Sequence, residues 1–579
     1  MPAREVTMVE NLLPGDDEEP EAAPLGDEKE PEEESVAPSA ALDSAHVGDI
    51  QGAFGTIREH DLAARRSWGK KVITLLAIIG PGLIVMVGDN DAGGVSTYAQ
   101  AGQNFGLSLL WTLPLLIPVL IVNQEMVVRL GAVTGVGHAR LINERFGRFW
   151  GAFSVGDLFL LNFLTIVTEF IGVGLALGYF GISAYISVPI AAVGLIAITA
   201  TGSFRRWERF MFVFVGVNFL AIPLVILVHP HAGPILHGFL VPGAQGGMSS
   251  TAVLLIIAIV GTTVAPWQLF FQQSNIVDKR ITPRWINYER ADTVIGSLVV
   301  VIAATALLVT AAFAFKHTGL AGHFVNAEQV ARGLDRFVGH GTGPLFALVL
   351  LNASIIGAAA VTLSTSYAFG DVFGIRHSLH RSFADAKQFY VLFSGQVVLA
   401  AGIVLIPRAP LGLITTSVQA LAGVLLPSAT VFLLLLCNDK EVLGPWVNRP
   451  WLNVLAGFIV AVLLALSLIL MATTVFPSLN VDSLALVLGF VIVAGFIGGG
   501  GFMLLPAQRA KRLAAARVGA RVAPRHAVRR ETWRMPQLAL LERPVWSRGR
   551  TMAMWTLRLY LVAAVLLLIV KAVQIGTAH

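Results

Sequence analysis

The chain has 579 residues, of which 55% are hydrophobic and only 13% are charged, and its formal net charge is +5 at pH 7. Because soluble domains carry about 25% charged residues, this composition excludes a soluble enzyme and indicates a polytopic α-helical membrane protein. The chain contains one cysteine, Cys437, so no disulfide can form within it.

The first 68 residues are polar and acidic. They hold 17 Asp or Glu against 5 Lys or Arg and include the run DDEEPEAAPLGDEKEPEEES. Such a segment cannot bury enough apolar surface to offset the entropy lost on ordering, so we predict a disordered cytoplasmic tail over 1–68. The tail lacks the apolar run of a cleavable signal peptide.

Thirteen apolar stretches follow, each close to the length of about 20 residues that crosses a bilayer. They lie near 71–102, 107–130, 153–180, 182–200, 208–228, 250–276, 291–315, 343–370, 388–406, 411–437, 452–474, 483–505 and 552–574. We number them as spans 1 to 13 and expect the lipid bilayer to surround them.

Basic residues concentrate in alternate loops. Lys and Arg crowd the loops at 140–148, 205–209, 278–290 and 376–387, whereas none occurs at 229–249 or 475–482. The positive-inside rule then predicts a plasma-membrane protein with a cytoplasmic N-terminus. The basic stretch 509–530 falls on the same side, so topology and attraction to anionic lipid explain it better than nucleic-acid binding.

Span 1 contains the polar run GDNDAGG inside an otherwise apolar helix. Backbone groups that a helix break frees in mid-membrane must be satisfied by protein, water or ligand. A charged side chain at that depth costs at least about 2.5 kcal/mol and usually marks a functional site. We therefore predict a break at Gly93 and Gly94, with a functional site at this polar run. Asp89 either lines the approach to this site or binds an outer-shell water.

Span 6 is interrupted at a comparable depth by GTTVAP, residues 261–266. Pro266 lacks an amide hydrogen and frees the carbonyl of Thr262, four residues earlier. Interrupted spans at matching positions of two halves are typical of inverted-repeat transporters. The pattern predicts a LeuT-like inverted repeat of 5+5 transmembrane helices with discontinuous helices 1 and 6, plus about three extra C-terminal spans.

Five segments follow from this assignment. The acidic tail occupies 1–68, and spans 1–10 with the following loop form a transporter core over 70–450. Spans 11 and 12 occupy 451–505, a basic cytoplasmic loop covers 506–550, and span 13 with a short C-terminus ends the chain at 551–579.

Several motifs of the core match those of one family in the same order. They are GPGLIVMVGDNDAGG (80–94), QEMVVRLGAVTG (124–135), EFIG (169–172), ERADTVIGS (289–297) and NDKEVLGPWVN (438–448). On these motifs the core resembles the Nramp (natural resistance-associated macrophage protein) family of divalent-metal transporters. The resemblance implies a divalent metal ion as the transported partner and no resident cofactor.

The resemblance also implies which residues bind the ion. The family's metal-binding Asp falls on Asp91, but its Asn falls on Gly94 and its Met on Ala265. In span 6 the family's Met-Pro-His-Asn motif falls on residues 265–268, so its last position is Gln268. A histidine that the family associates with proton coupling falls on Gln272.

These departures favour a hard ion. A thioether favours transition metals, so Ala265 removes that preference, and Gly94 would enlarge the cavity. The Asp91 carboxylate, the Thr262 carbonyl and the Gln268 amide then suit a largely hydrated Mg²⁺. We expect a secondary Mg²⁺ carrier, closest to the magnesium branch of the family and uncoupled from protons because Gln272 cannot titrate. The alternative is a proton-coupled Mn²⁺/Fe²⁺ transporter of the ordinary Nramp type.

Three further polar residues have two interpretations each. Glu125 either lines the permeation path or forms an i,i+4 ion pair with Arg129, which the spacing favours. Glu169 either serves a proton path or bonds across the bundle. Gln419 either approaches the ion from span 10 or makes a structural hydrogen bond.

Other functional classes find less support in the sequence. An amino-acid carrier on the same scaffold would place a substrate carboxylate beside Asp91, which would repel it. A membrane sensor would need a signalling domain, and only the acidic tail and the basic loop could serve it. The phosphate-binding GxxxxGK[ST] loop of many ATP-using enzymes does not occur.

Overall fold

The computed structural model describes residues 44–61, 63–407, 411–476, 479–516, 530–541, 551–552, 554–563 and 566. Ten helices in this part of the chain are long and apolar enough to cross a membrane. The pair formed by residues 68–78 and 81–88 makes an eleventh if it is counted as one span bent by 53°. The expectation of a helical, multi-pass membrane protein is confirmed.

Two short strands near the start of the described chain are followed by helices. The strands are β1 (Ile50–Gly52) and β2 (Gly55–Ile57), and the helices are α1 (Trp68–Ile78), α2 (Pro81–Gly88), α3 (Ala92–Phe105), α4 (Thr112–Thr134), α5 (His138–Phe146), α6 (Arg148–Tyr179), α7 (Ala184–Thr199), α8 (Phe204–Asn218), α9 (Ala221–Leu227), α10 (Ala232–Leu240), α11 (Ser250–Thr263), α12 (Pro266–Asp278), α13 (Ile286–Phe315), α14 (Ala327–Phe337), α15 (Thr342–Phe373), α16 (Lys387–Val404), α17 (Leu411–Leu436), α18 (Lys440–Leu443), α19 (Pro450–Val475) and α20 (Val481–Ala516). Short 3₁₀ helices lie at Ser44–His46, Pro283–Trp285, Gly444–Trp446 and Leu538–Leu540.

Two predicted elements differ from those in the structure. The helix α20 continues to Ala516 and so extends into the segment assigned to a basic loop from residue 506. Span 1 is three helices rather than one interrupted helix, because the chain turns at Gly80 between α1 and α2 as well as after Gly88. Gly80 has a φ of 151°, which an L side chain rarely adopts, and its N–H is held by a buried carboxylate described below.

The end of the predicted disordered tail is also structured. The strands β1 and β2 form an antiparallel hairpin that pairs Ile50 with Ile57. A Cβ on Gly52 would lie 1.9 Å from the carbonyl oxygen of Ala77, so this glycine lets the hairpin pack directly on α1. The backbone N–H of Ala53 is hydrogen-bonded to the side chain of Glu208 on α8. Residues 1–43 lie outside the described part.

The interrupted helices occupy the centre of the bundle. Every residue of α2 and α12 is buried. The helix α13 packs against α2 and α3, α15 packs along α6, and α11 packs against α17. Gly261 and Gly423 make the last contact very close, because a Cβ on Gly261 would lie 2.3 Å from the Gly423 nitrogen.

The last predicted span is only partly described, and the described residues between 551 and 566 are helical. The side chain of Tyr560 donates a hydrogen bond to the carbonyl of Val424 in α17. The guanidinium of Arg558 lies 5.0 Å from the ring centroid of Trp150 on α6. The C-terminal helix therefore packs on the core rather than standing apart from it.

Candidate ion-binding site

The first break lies between α2 and α3 and is made by Asp89, Asn90 and Asp91. Asp91 is the N-cap of α3, and its Oδ1 accepts a hydrogen bond of 2.6 Å from the N–H of Gly94. A carboxylate in this position satisfies an N–H that has no partner within the helix. The prediction that Gly93 and Gly94 form the break is therefore wrong by a few residues, since both belong to the first turn of α3.

The second break lies where the sequence predicts it. The helix α11 ends at Thr263, and α12 begins with Pro266 at its first position, where the missing N–H costs nothing. Ala265 precedes the proline in extended conformation, with φ −84° and ψ 148°. Pro266 lacks the amide hydrogen that would bond the Thr262 carbonyl in a continuous helix.

The two breaks meet in space. The hydroxyl of Thr262 lies 3.4 Å from Asp91 Oδ1 and 3.4 Å from the carbonyl oxygen of Asp89, which are long contacts for O–H···O hydrogen bonds. The same two helices are also joined by the hydroxyls of Tyr98 on α3 and Thr263 on α11, which are hydrogen-bonded at 2.8 Å. Asp91, Asp89 and Thr262 thus place a carboxylate, a carbonyl and a hydroxyl around one point.

Gly94 does not leave the enlarged cavity that its replacement of Asn predicts. A Cβ on Gly94 would lie 2.7 Å from the Asp89 carbonyl oxygen and 2.9 Å from Thr262 Oγ1. The space of the lost side chain is taken up by the backbone of one break and the hydroxyl of the other. In this conformation oxygen atoms from both breaks occupy the position of a side chain at Gly94. The expectation that Gly94 enlarges the cavity is therefore wrong.

Glu169 lies beside the first break and is fully buried. Its Oε2 accepts a hydrogen bond of 3.0 Å from the N–H of Ala92, the first residue of α3. Gly357 on α15 makes room for both acids, because a Cβ there would lie 2.6 Å from Glu169 Oε2 and 2.8 Å from the Cβ of Asp91. Glu169 therefore bonds across the bundle and also stands next to the candidate ligand.

Asp89 is a fully buried carboxyl without a hydrogen bond. Its exposed fraction is 0%, and neither of its side-chain oxygens has a partner among the described residues. Asp89 follows the last residue of α2, where the helix dipole is negative and offers no N–H groups. An uncompensated anion in this position is unfavourable, so a cation or a proton would stabilise it.

Gln268 and Gln419 approach the breaks in different ways. The Gln268 amide donates to the Thr263 carbonyl at 3.1 Å, and its Oε1 accepts from Gln124 at 3.0 Å. A Cβ on Gly93 would lie 1.6 Å from Gln419 Nε2, so α17 brings this amide directly onto α3. The Nε2 of Gln419 has no hydrogen-bond partner among the described residues, whereas Gln268 is bonded at both ends.

Two predicted residues lie away from the breaks. Gln272 is one turn further along α12 and donates to Thr293 on α13 at 3.0 Å. Glu125 forms the predicted ion pair with Arg129, at 3.0 Å, and a second one with Arg290, at 2.6 Å. Two arginines thus hold the Glu125 carboxylate, which favours the structural interpretation.

Sequence reasoning missed Asp292, which holds the start of α2. Its carboxylate accepts hydrogen bonds from the N–H groups of Gly80, Gly82 and Leu83, at 3.0, 2.7 and 3.1 Å. A helix that begins inside the membrane needs acceptors for its first N–H groups. The acid within the ERADTVIGS motif was the available signal.

Any ion held at the breaks would have few anionic ligands. No cluster of three or more His, Cys, Asp or Glu among the described residues is arranged to hold a metal. Met86 does not supply a sulfur, because its side chain faces Gly296 on α13, where a glycine Cβ would lie 2.8 Å from Met86 Cγ. The donors near the breaks are therefore one or two carboxylates and neutral oxygens.

Two discontinuous helices whose breaks meet inside a helical membrane bundle define a transporter of LeuT-like architecture. Residues 82–473 match the family described as natural resistance-associated macrophage protein-like. The chain belongs to this Nramp family, and the resemblance of its motifs is confirmed.

Curated relatives and solved structures agree with this assignment. The divalent metal cation transporter MntH of Bacillus subtilis is 27% identical over 414 residues, covering 69% of this chain and 93% of the relative. The protein of the same name from Xylella fastidiosa is 28% identical over 457 residues, covering 75% of this chain and 91% of the relative. A crystal structure of the Eremococcus coleocola manganese transporter has a TM-score of 0.57 and 20% identity, covering 80% of this chain and 98% of that one.

Proposed function

We propose that the chain is a secondary transporter that moves a divalent cation across the plasma membrane by alternating access. The observation that carries the proposal is the meeting of two helix breaks at Asp91, Thr262 and the Asp89 carbonyl. Asp91 would bind the ion directly, and the Thr262 and Asp89 oxygens would complete part of its shell. The distribution of Lys and Arg supports a cytoplasmic N-terminus.

The curated relatives are named for divalent metal cations in general, and the similar Eremococcus coleocola structure is that of a manganese transporter, so Mn²⁺ is the first candidate for the transported ion. Carboxylate, carbonyl and water ligands suit Mn²⁺ as well as Mg²⁺, so an oxygen-lined site accepts this assignment. Mg²⁺ is the second candidate, because Ala265 and Gly94 supply neither a sulfur nor a side-chain oxygen. A site without a soft ligand has no means of preferring Mn²⁺ over the more abundant Mg²⁺ except through size and hydration.

The Mn²⁺ alternative includes proton coupling, and Glu169 is the residue that would carry the proton. Gln272 cannot carry a proton, but Glu169 can, and it accepts the N–H of Ala92, the residue that directly follows Asp91. An ion that binds Asp91 would lower the proton affinity of a neighbouring carboxyl by charge repulsion. We therefore infer that cation binding and the protonation of Glu169 are linked, in contrast to the uncoupled carrier that Gln272 alone predicts.

Transport by proteoliposomes of the purified protein tests the proposal. Mn²⁺ and Mg²⁺ would be offered separately and in competition, while a trapped dye reports the internal pH. We expect saturable uptake in the wild type and its loss in Asp91→Asn. The matched control is Asp157→Asn, which alters an intramembrane acid of α6 whose contact is Ser428 on α17, at 3.4 Å.

The outcomes separate the two ions. Mn²⁺ uptake with acidification, little affected by excess Mg²⁺, would support the proton-coupled manganese transporter. Mg²⁺ uptake without acidification would support the uncoupled magnesium carrier. If neither ion enters, or if Asp157→Asn and Asp91→Asn lose transport equally, the proposed site is wrong.

A further inference from the structure

Glu289 is a second buried carboxyl without a partner, away from the candidate ion site. It lies in the first turn of α13 with an exposed fraction of 0%, and neither Oε1 nor Oε2 has a hydrogen-bond partner among the described residues. The groups that act on its charge include Asp292 on the same helix, Gln272 on α12, Lys279 directly after α12, and Glu208 on α8.

The charged neighbours have already used their hydrogen-bonding capacity. Lys279 Nζ donates to the Ile78 carbonyl at 2.6 Å, to the Ile79 carbonyl at 2.8 Å and to Glu208 Oε1 at 2.6 Å. An ammonium group has three donors, so none is left for Glu289. The Asp292 carboxylate is engaged by the three N–H groups at the start of α2.

The side-chain amide of Gln272 lacks a hydrogen-bond donor for its oxygen. Its Nε2 donates to Thr293 Oγ1 at 3.0 Å, but its Oε1 is buried and has no donor in the described structure. Thr293 lies one turn after Glu289 on α13, so this amide is held on the same face of the helix as the carboxyl without a partner. One proton on Glu289 would satisfy both groups, because a protonated carboxyl is a donor.

The helix dipole does not remove the need for this proton. Glu289 lies near the N-terminus of α13, where an anion is favoured. That effect is smaller than the cost of burying an unpaired charge in a bundle core, and the cation that acts on Glu289, Lys279, is already paired with Glu208. Ionised Glu208, Asp292 and Glu289 would together oppose the single charge of Lys279.

We propose that Glu289 is a proton-binding site, whose proton is donated to the amide oxygen of Gln272. The protonation follows from the local geometry alone, whereas its role in transport rests on the proposed function. The site joins α12 and α13 beside the start of α2, so a movement of α2 that admitted water would ionise Glu289. Release of this proton would then accompany opening of the bundle on the side of the α1–α2 corner.

Infrared difference spectroscopy of the purified protein in lipid tests the assignment directly. Wild type minus Glu289→Gln at neutral pH should show the carbonyl stretch of one protonated carboxylic acid. Glutamine is isosteric with the protonated acid, so this variant should fold. The matched control is Glu328→Gln, which removes a carboxylate ion-paired with Arg332 at 2.7 Å and should leave the acid band unchanged.

A second variant examines the hydrogen bond. Replacement of Gln272 by Leu removes the acceptor, so the acid band of Glu289 should shift to the higher frequency of a free carboxylic acid. If instead the band is absent from folded wild-type protein, Glu289 is ionised and the amide of Gln272 is turned to donate to it, which overturns the proposal. A band that develops only when metal and alkali cations are removed would overturn it in favour of a bound cation.

The spectroscopic result is independent of ion uptake. If the band is present but neither Mn²⁺ nor Mg²⁺ is transported, the proton site stands and the proposed function fails. In transporting protein, proton release into the internal dye should depend on Glu289, and Glu289→Gln should reduce it severalfold while Glu328→Gln should not. Equal proton release from both variants would overturn the link to transport.

Discussion

The contact between α11 and α17 provides a quantitative test of how the site is built. In Gly261→Ala the new Cβ would lie 2.2 Å from the carbonyl oxygen of Gln419 and 2.3 Å from the nitrogen of Gly423. Both are backbone atoms, so no side-chain rotation relieves the clash. The helices would have to separate by roughly 1 Å to restore normal contact distances near 3.5 Å.

The expected loss of stability follows from two opposing effects. Overpacking of a well-packed interior typically costs about 1–3 kcal/mol, and sometimes more. Alanine is the better helix former by about 1 kcal/mol. Because the clash is with backbone, we expect overpacking to dominate and the free energy of unfolding to fall by about 1–2 kcal/mol. The shift of α17 would also withdraw Gln419 from Gly93 and weaken cation binding.

Gly402→Ala is the matched control, since a Cβ on this glycine of α16 has no heavy atom within 4 Å. The same substitution should there be neutral or stabilising, by up to about 1 kcal/mol. Reversible unfolding in mixed micelles would give both free energies, and titration calorimetry with Mn²⁺ and Mg²⁺ would give the affinities. A Gly261→Ala protein as stable as Gly402→Ala, with unchanged affinity, would refute the close contact.

Three further substitutions test the surrounding packing. Lys279→Met should lower the free energy of unfolding by about 3–5 kcal/mol because it leaves the Glu208 carboxylate unpaired, and addition of Glu208→Gln should recover most of this loss. Burial lowers the pKa of His138 from 6.5 to about 4, so the unfolded chain takes up a proton first. The unfolding free energy should then be constant above pH 6.5 and fall by about 3 kcal/mol as the pH decreases toward 4, and His138→Asn should flatten this pH dependence. Tyr560→Phe should cost about 1 kcal/mol in chemical denaturation because the Val424 carbonyl loses its donor, and an unchanged midpoint would refute the packing of the C-terminal helix.

The helix breaks could be predicted from the sequence because a membrane makes polar interruptions expensive. GDNDAGG and GTTVAP stand out against apolar surroundings, and both coincide with breaks that meet in space. The residue that ends each helix was less predictable. Asp91 begins α3 by capping it, and this capping moves Gly93 and Gly94 from the break into the helix.

Features that depend on tertiary contact could not be predicted from local pattern. The loss of a side chain at Gly94 suggests a cavity, but the other break fills that space with Thr262. The acidic composition of the first 68 residues concealed the hairpin at Ile50–Ile57, because an average over the tail hides a short segment with few acids. The role of Gly357 required knowledge of which helix crosses Asp91.

The buried acids of the bundle differ in what compensates them, and this difference indicates where a cation is most favourable. Asp91, Glu169 and Asp292 each accept N–H groups from the first turn of a helix, which is a favourable place for an anion. Asp89 instead follows the end of α2, without a hydrogen bond among the described residues. A divalent cation between Asp89 and Asp91 would neutralise the uncompensated carboxylate and also be attracted by the negative end of α2. Cation binding is therefore most favourable next to Asp89, the buried carboxylate that has no compensating group when the site is empty. Asp89→Asn should lower the affinity for the cation even if Asp89 makes no direct contact with it.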